Sequence, residues 1–509
     1  MIVEKSNRRF EQYQDQISRF IVAKAQVEGE DLVIDETSSS NNNMPTLPKT
    51  VTFQVTDDCN LKCTYCYQIN KGKRKMSLET AKQFIDMLIQ ESYDPESYVS
   101  IETTPTVVVE FIGGEPLLEI DLIDEITKYF RARLIQENHP WTSTILFSMI
   151  SNGVLYFEPK VQDYIRRNNR RLSFGISLDG CKPLHDMCRV FPDGTGSYDL
   201  AEAGCIHYKQ NYNSEMLTKM TIAPENITWT FEAFKNLISL GYPVIHANCV
   251  YEKGWNVNHA IVLYDQLKQI ADYILDNDLE NDVICTILDE FSCIPEAEKD
   301  NKNYCGSTGC MLTCDPDGIV APCIRFLKSS LGEEIGDFAL GDVDHGLGKT
   351  ECHKCNICTL DSISRRSQST DECFYCPISL GCGWCTAYNY QETGSADIRC
   401  TYICWMHRAR SLANVYYWNK VYQKHDEKDN EGQPKKFYLY LPKELALQIV
   451  NEEEYNILYE LAGCIDAEDA YNNFLERERL ATELQEEKER LMKLLEEQEE
   501  GEIEDKEDD

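Results

Sequence analysis

The sequence predicts an α/β fold with parallel strands, followed by a loop-dominated, cysteine-rich domain. Strand-like and helix-like segments alternate about six times between residues 51 and 280. Unusual glycines, carboxylates and cysteines follow the ends of the strand-like runs. Of the 23 cysteines, 15 lie between Cys285 and Cys404, where long periodic segments are scarce. Bound metal would explain that second region, because metal replaces a hydrophobic core in small units.

The first region has the pattern of a parallel sheet or an incomplete barrel. Strand-like runs lie at 51–56, 106–112, 144–150, 172–178, 216–222 and 243–250; helix-like segments lie near 77–92, 119–137, 158–168, 198–210, 228–240 and 257–275. Chemistry in such folds sits at the carboxyl ends of the strands. The candidate residues fall at those ends: Cys59, Gly113 to Pro116, Ser151 to Gly153, and Ser177 to Gly180.

Composition divides the chain into four parts. Residues 1–50 form an N-terminal extension and polar linker, and 51–280 form the α/β domain. Residues 285–424 form the cysteine-rich domain. Residues 425–509 are expected to be an acidic helical or disordered tail.

The overall charge limits the function. The chain has 50 Lys and Arg against 86 Asp and Glu, a net charge of −36, which argues against nucleic acid or anionic membrane as a partner. No run of about 18 apolar residues is present, and the N-terminus lacks the pattern of a secretory signal. We therefore expect a cytoplasmic protein, whose thiols are reduced and whose cysteines bind metal rather than form disulfides.

The central motif is Cys59-x3-Cys63-x2-Cys66, directly after the first strand. Three thiolates from one loop suit a cubane iron–sulfur cluster and leave one iron without a protein ligand. That open position is what catalysis needs. A structural zinc site, the alternative, usually takes four protein ligands.

The run CNLKCTYCY resembles the cluster loop of the radical S-adenosylmethionine superfamily. The later motifs FIGGEP (111–116), SNG (151–153) and SLDG (177–180) fit that family in order and spacing. The resemblance covers roughly residues 50–280 and implies a partial (β/α)6, TIM-like barrel. It implies a [4Fe–4S] cluster on the three cysteines, with S-adenosylmethionine on the open iron, and reductive cleavage to a 5′-deoxyadenosyl radical.

The resemblance also implies contacts with S-adenosylmethionine. Tyr65 matches the aromatic residue beside the adenine, and Ser177 matches a ribose-contacting position. Gly113 and Gly114 lack Cβ, which would let the backbone approach the methionine ammonium. Glu115 would carry the opposite charge near that ammonium. No catalytic acid or base is identified.

The second cysteine group resembles the auxiliary-cluster domain called SPASM and implies two more [4Fe–4S] clusters. The family pattern assigns Cys305, Cys310, Cys323 and Cys385 to the first, and Cys373, Cys376, Cys382 and Cys404 to the second. The last spacing is x2 where the family usually has x3, which bears on Cys385. Cys400 competes with Cys404, which we prefer because it leads into a helix.

Three more cysteines, Cys352, Cys355 and Cys358, are a possible further metal site, with Cys314 or His353 as an added ligand. They could instead replace some of the auxiliary ligands, or be free reduced thiols.

The family contains several reaction types. The segments 185–199 and 403–418 look closest to maturases of ribosomally made peptides, including those with cysteine-repeat precursors, which install thioether or other cross-links. The resemblance implies a peptide or protein substrate and an electron donor such as flavodoxin or ferredoxin.

Three alternatives remain open. One is sulfatase maturation to formylglycine, where the family's base is an Asp at the position that Ile324 holds here. Another is peptide epimerisation, with Cys249 as hydrogen donor. The third is a non-catalytic iron–sulfur or zinc scaffold.

Overall fold

The computed structural model describes residues 48–212, 218–299, 305–332 and 335–507. The expected N-terminal extension therefore lies outside the described residues, apart from its last three. The six predicted strands are present as β1 Lys49–Thr56, β2 Val107–Gly113, β3 Leu146–Ser151, β4 Leu172–Ile176, β5 Thr218–Ile222 and β6 Val244–Cys249. Between them lie the predicted helices, at Leu78–Ser92, Ile120–Gln136, Pro159–Asn168, Tyr198–Tyr212, Thr230–Ser239 and Val257–Asp276.

Strands β1 to β4 form one parallel sheet in chain order. Apolar residues alternate along β1, so Val51, Phe53 and Val55 are fully buried under the outer helices. The Phe53 ring lies 5.0 Å from the Phe84 ring of the first outer helix and 6.0 Å from the Phe111 ring of β2. This core fixes the direction in which β1 enters the cysteine loop.

The sheet is divided, which the sequence pattern did not indicate. Strands β5 and β6 pair with a short strand β7, Ile284–Cys285, in a separate parallel sheet. A side chain crosses the division: the Asp179 carboxylate, just beyond β4, accepts a hydrogen bond of 3.1 Å from the Thr221 backbone N–H of β5. The six strands therefore form an incomplete barrel whose two parts meet at Asp179.

The cysteine-rich domain extends the barrel sheet. Strand β8, Met311–Cys314, pairs in parallel with the outer edge of β1, and the sheet continues antiparallel through β9 Ile319–Ala321, β10 Gly341–Asp342 and β11 Gly346–Leu347. Loops and short helices follow, at Glu351–Ser362, Arg365–Gln368, Asp371–Phe374 and Thr386–Thr393, and then the long helix Cys404–Lys424. The expected loop-dominated domain is present, but it shares a sheet with the barrel.

The expected acidic tail contains helices, one of the two forms expected, and its first part packs into the fold. Residues 437–474 bury Phe437, Leu439, Leu441, Leu458 and Phe474. The helices of this region are Lys443–Ala446, Glu452–Leu461 and Ala467–Glu507. The excess of acidic side chains hid these apolar positions, so composition was a poor guide to packing here.

No helix among the described residues is long and apolar enough to cross a membrane.

Candidate functional site

The catalytic cysteine loop begins three residues after β1. The Cys59 N–H bonds to the Asp58 carboxylate at 2.9 Å, and the Cys59 sulfur accepts from the Leu61 N–H at 3.4 Å. The loop's three thiols are free. Burial raises the pKa of Cys59 to about 11, with a smaller contribution from Cys63, and burial likewise raises the pKa of Cys63, with a smaller contribution from Cys66. Cys59 and Cys63 are therefore neutral without metal, and cluster binding would release their protons.

Lys71, five residues after Cys66, places a positive charge beside the three cysteines of the loop. The Lys71 ammonium donates to the Leu61 carbonyl at 3.2 Å, and the pKa of Lys71 is raised by the neighbouring thiolates of all three cysteines, against the opposing effect of burial. A positive charge at this point favours bound thiolates over neutral thiols.

Gly113 and Gly114 allow two backbone segments to pack closely. A Cβ on Gly114 would lie 2.6 Å from the Asp58 carbonyl carbon and 2.8 Å from the Asp57 oxygen. A Cβ on Gly113 would overlap the Thr56 backbone in the same way. The glycines therefore hold the end of β2 against the segment that leads into the cysteine loop. Their contact with the methionine ammonium stays a prediction.

Glu115 connects two motifs. Its carboxylate is buried and accepts from the Ser151 hydroxyl at 2.7 Å, the Asn152 N–H at 2.8 Å and the Leu117 N–H at 3.1 Å. Asn152 in turn donates from its side chain to the Asn60 side chain at 2.7 Å, inside the cysteine loop. Burial raises the pKa of Glu115, while these donors lower it. The carboxylate fixes the two motif loops and, through Asn152, the cysteine loop; its contact with the methionine ammonium stays a prediction.

Tyr65 belongs to a buried charge network that sequence reasoning missed. Its hydroxyl donates to Asp179, whose carboxylate also accepts from Arg189 at 2.7 and 3.2 Å. The Arg189 guanidinium lies 5.4 Å from the Tyr65 ring centroid and holds the pKa of Asp179 below its ordinary value despite burial. Asp179 lies within the SLDG motif, so the signal was present, but the spacing did not indicate Arg189 as its partner.

Ser177 lies at the end of β4, half-buried, with its N–H bonded to the Ser151 carbonyl at 2.8 Å. It stands at the same carboxyl edge of the barrel as Glu115 and Tyr65. Its contact with ribose stays a prediction.

The structure brings the first predicted auxiliary set together. The thiols of Cys305, Cys310, Cys323 and Cys385 lie near one another: Cys305 raises the pKa of the other three, and Cys385 raises that of Cys323. Tyr67, next to Cys66, lies between this set and the catalytic loop, since both Cys66 and Cys323 raise the pKa of its phenol.

The second predicted set is also brought together. The thiolates of Cys373 and Cys382 raise the pKa of Cys376 and Cys404, and that of Cys404 reaches about 12 because of burial. Cys400 lies nearer Cys385 and Glu392, which favours Cys404 as the fourth member. Both ligand sets remain predictions.

The cysteines Cys352, Cys355 and Cys358 lie along one exposed helix, Glu351–Ser362. That helix contains no other cysteine. Cys314, a proposed fourth ligand, is fully buried in β8. A further metal site there stays a prediction.

Among residues 48–507, apart from the three undescribed gaps, no three His, Cys, Asp or Glu side chains converge on a single ion position. A multi-iron cluster binds each thiolate through a different iron, so its ligands surround a volume rather than a point. Groups of three or four free, mutually close thiols fit that requirement. The donor chemistry therefore fits iron–sulfur clusters.

A pocket of about 270 Å³ opens between the barrel and the cysteine-rich domain. Its walls are formed by the cysteine loop, the segments that follow β5 and β6, and the helix Thr386–Thr393. The lining residues are Thr64 to Tyr67, Ile69, Ala223 to Glu225, Val250, Glu252, Lys253, Tyr388 and Gln391. Lys253 pairs with Glu392 and donates its N–H to the Tyr388 hydroxyl at 3.1 Å. The pocket is therefore lined by residues of both the barrel and the cysteine-rich domain.

Two carboxylates give the pocket an acidic wall. Glu225 accepts from the Thr64 hydroxyl at 2.7 Å, and one Glu252 oxygen binds Arg325 at 2.8 Å. The other Glu252 oxygen is buried and has no hydrogen-bond partner in the described part of the chain. Ile324, where sulfatase-maturing relatives would have an Asp, is buried and apolar.

Cys249, the hydrogen donor considered for epimerisation, ends β6 beside the pocket residue Val250. Burial raises the pKa of its thiol to about 12, so the thiol stays protonated.

The chain is similar to one protein-family model and to several curated proteins. Residues 49–163 match the model of a 4Fe-4S single cluster domain. The chain is 29% identical over 193 residues to an uncharacterized protein of Methanocaldococcus jannaschii, covering 38% of this chain and 59% of that protein. It is 23% identical over 359 residues to the antilisterial bacteriocin subtilosin biosynthesis protein AlbA of Bacillus subtilis, covering 69% of each.

Sulfatase-maturing proteins are also similar. A serine-type anaerobic sulfatase-maturating enzyme of Bacteroides thetaiotaomicron is 25% identical over 246 residues, covering 46% of this chain and 54% of that enzyme. The solved structure of native anSMEcpe with bound AdoMet and the Cp18Cys peptide has a TM-score of 0.54 at 16% identity, covering 75% of this chain and all of that chain. The chain thus spans less than two thirds of the length of two of these three curated relatives, and the structural likeness confirms the predicted fold.

Proposed function

We propose a peptide-modifying reaction for this chain, which is a radical S-adenosylmethionine enzyme with a SPASM-type auxiliary domain. Its cofactors are iron–sulfur clusters and S-adenosylmethionine. The specific proposal is a maturase that cross-links a ribosomally made peptide, through a thioether or another new bond. The observation that carries it is the open pocket shared by the catalytic loop and the auxiliary domain.

The pocket suits an extended peptide better than a small metabolite. It opens to solvent between two domains, and its walls carry polar groups from four different elements. Its two carboxylates, Glu225 and Glu252, are suited to N–H, S–H or cationic donors of a peptide.

When bound, the cluster and S-adenosylmethionine supply a radical that removes a hydrogen atom from an unactivated C–H bond. The chain's own residues orient the reactants. Glu115 ties the motif loops to the cysteine loop, and Asp179 fixes the Tyr65 ring through its hydroxyl and through Arg189. The apolar residues Val250 and Ile69 line part of the pocket.

Sulfatase maturation is the second candidate. It is supported by the similar sulfatase-maturating enzymes and by the fold shared with anSMEcpe. The apolar Ile324 is an observation against it, since a carboxylate is lacking at that position. Glu252, which is paired with the adjacent Arg325, is a carboxylate that could serve instead.

The test is a direct assay of two kinds of peptide. The anaerobically reconstituted protein is incubated with S-adenosylmethionine, dithionite and either a peptide encoded beside its gene or a sulfatase active-site segment. We expect the first peptide to lose two hydrogens for each cross-link, and a free thiol if the bond is a thioether. In a cysteine-containing sulfatase segment, conversion of –CH2SH to –CHO, a loss of two hydrogens together with replacement of sulfur by oxygen, would establish sulfatase maturation instead. Modification of neither would refute a peptide substrate of these classes.

A pocket variant checks where the peptide binds. Gln391→Trp places a large ring in the pocket and should raise the peptide KM at least tenfold while leaving peptide-free cleavage of S-adenosylmethionine intact. Gln423→Trp makes the same change at an exposed position of the helix Cys404–Lys424 and is the matched control. Equal peptide KM values for the two variants would place the substrate elsewhere.

A further inference from the structure

Each predicted auxiliary cysteine set has an arginine stacked on an aromatic ring. The Arg325 guanidinium carbon lies 4.5 Å from the Tyr67 ring centroid, and that of Arg399 lies 4.7 Å from the Trp384 centroid. Arg325 follows Cys323 by two positions, and Arg399 donates to the Cys382 carbonyl at 3.2 Å. Arginine stays protonated in proteins, so each set has a fixed positive charge beside it.

The positive charge at the first set is compensated. Arg325 is paired with Glu252 at 2.8 Å. Lys49 is the other cation near this set, since it acts on the Cys310 thiol, and the Asp361 carboxylate lies near it. Around the first set, the positive charges of Arg325 and Lys49 are therefore balanced by the negative charges of Glu252 and Asp361.

The positive charge at the second set is not compensated in the same way. Arg408, whose guanidinium lies 5.1 Å from the Trp405 ring centroid, is a second cation near Cys404. Within the described ranges, neither Arg399 nor Arg408 has a carboxylate within ion-pair distance. The hydrogen bond from Arg399 to the Cys382 carbonyl holds the guanidinium beside this cysteine.

The remaining charges near the second set do not reverse this balance. Arg410 pairs with Asp289 at 3.8 Å, which leaves no net charge from that pair. Asp371 precedes Cys373, but its side chain is 80% exposed and it pairs with Arg366 at 2.8 Å. Glu372 is also exposed, so water and salt screen its charge.

We propose that Arg399 and Arg408 give the second auxiliary cluster a higher reduction potential than the first, whose arginine is neutralised by Glu252. Reduction adds a negative charge, so uncompensated cations beside the ligand cysteines favour the reduced cluster. The inference rests on the proposed clusters of the auxiliary domain. An electron that enters the auxiliary domain would therefore reside mainly on the second cluster.

The test is a redox titration followed by electron paramagnetic resonance, in the full chain. Cys59, Cys63 and Cys66 are replaced by Ala so that the catalytic signal does not overlap. The parent should show the second cluster at the higher midpoint. Arg399→Met and Arg408→Met should each lower that midpoint by up to about 59 mV, a tenfold change in a one-electron equilibrium constant. Arg399→Lys retains the charge and should recover most of the shift.

The first cluster supplies the matched controls. Arg325→Met should lower only the first midpoint, and Glu252→Gln should raise only that midpoint. The inference is overturned if the double variant of Arg399 and Arg408 leaves both midpoints unchanged, or if the first cluster has the higher midpoint in the parent. If Arg399→Met loses iron, Arg408→Met decides the question, because Arg408 bonds to no cysteine backbone in the described chain.

The outcomes separate this inference from the proposed function. A parent protein without auxiliary iron would refute the auxiliary clusters and hence the proposed function. Auxiliary iron with unmoved midpoints would refute only the role of the two arginines.

Discussion

Gly114→Ala is the sharpest test of how the barrel positions the catalytic loop. The added Cβ would lie 2.6 Å from the Asp58 carbonyl carbon and closer still to its oxygen, whereas ordinary contact begins at 3.4 Å. The obstacle is backbone rather than a flexible side chain, so either β2 or the entry to the cysteine loop must move by about 0.8 Å or more. The Glu115 N–H would then lose its 2.9 Å hydrogen bond to the Asp58 carbonyl.

The magnitude follows from these contacts. Overpacking of this kind costs about 1–3 kcal/mol. A barrel of this size would lose roughly 2–12 °C in melting temperature. Displacement of the loop by about 1 Å is expected to slow cleavage of S-adenosylmethionine on the order of 10²-fold. The two effects have the same cause and should appear in the same variant.

The assay compares Gly114→Ala with Gly72→Ala. Gly72 lies between β1 and the first helix, and its added Cβ would meet nothing closer than 3.7 Å. Melting temperature, iron content and 5′-deoxyadenosine formation without peptide are measured on each protein. Gly72→Ala should match the wild type. If Gly114→Ala also matches it in both stability and cleavage, close packing at this glycine is not what places the cysteine loop.

Three further predictions concern the clusters and pH. Replacing Cys59, Cys63 and Cys66 together by Ala should abolish 5′-deoxyadenosine formation while the auxiliary iron stays bound, and residual cleavage under dithionite would mean that the catalytic loop is misassigned. Cys373→Ala should retain cleavage of S-adenosylmethionine and lose peptide modification, because a cluster without one ligand is a poor electron acceptor. Circular dichroism checks that the variant is folded. Peptide modification at the wild-type rate by the folded variant would contradict this prediction. Burial lowers the pKa of His139 to about 4, so the folded state binds fewer protons than the unfolded state between pH 6.5 and 4. The free energy of unfolding therefore falls as the pH drops through this range, by at most about 1.4 kcal/mol per pH unit. His139→Gln should show a shallower loss in urea denaturation over that range, and an unchanged slope would exclude His139 as a cause.

The sequence predicted the barrel elements well because each carries a local signal. Buried parallel strands such as β1 and β2 are short apolar runs, and the helix Val257–Asp276 begins at Asn256 with a capping box. The predicted site residues lie at or just beyond the carboxyl ends of β1 to β4, as expected, while their chemical roles stay predictions. These features depend on residues close together in the chain.

The features that were missed depend on residues far apart. Pairing of β8 with β1 joins segments about 260 residues apart, and nothing in MLTC indicates its partner. The same holds for Arg189 with Asp179 and for Arg325 with Glu252, because a charge gives no sign of which opposite charge it will meet. The buried segment after 436 was masked by its acidic neighbours, since average charge conceals a few apolar anchors.

The pairing of β8 with β1 also has a consequence for any shortened form of this protein. A chain ending after β7 would leave β1 as an open edge, with unpaired N–H and C=O groups along Thr50 to Phe53. Exposed edges of this kind recruit strands from other molecules. The same strand carries the polypeptide into Cys59, so aggregation at its edge would disturb the loop that holds the catalytic cysteines. We therefore expect the barrel and the auxiliary domain to be retained or lost together in related chains, and to require each other when the protein is expressed.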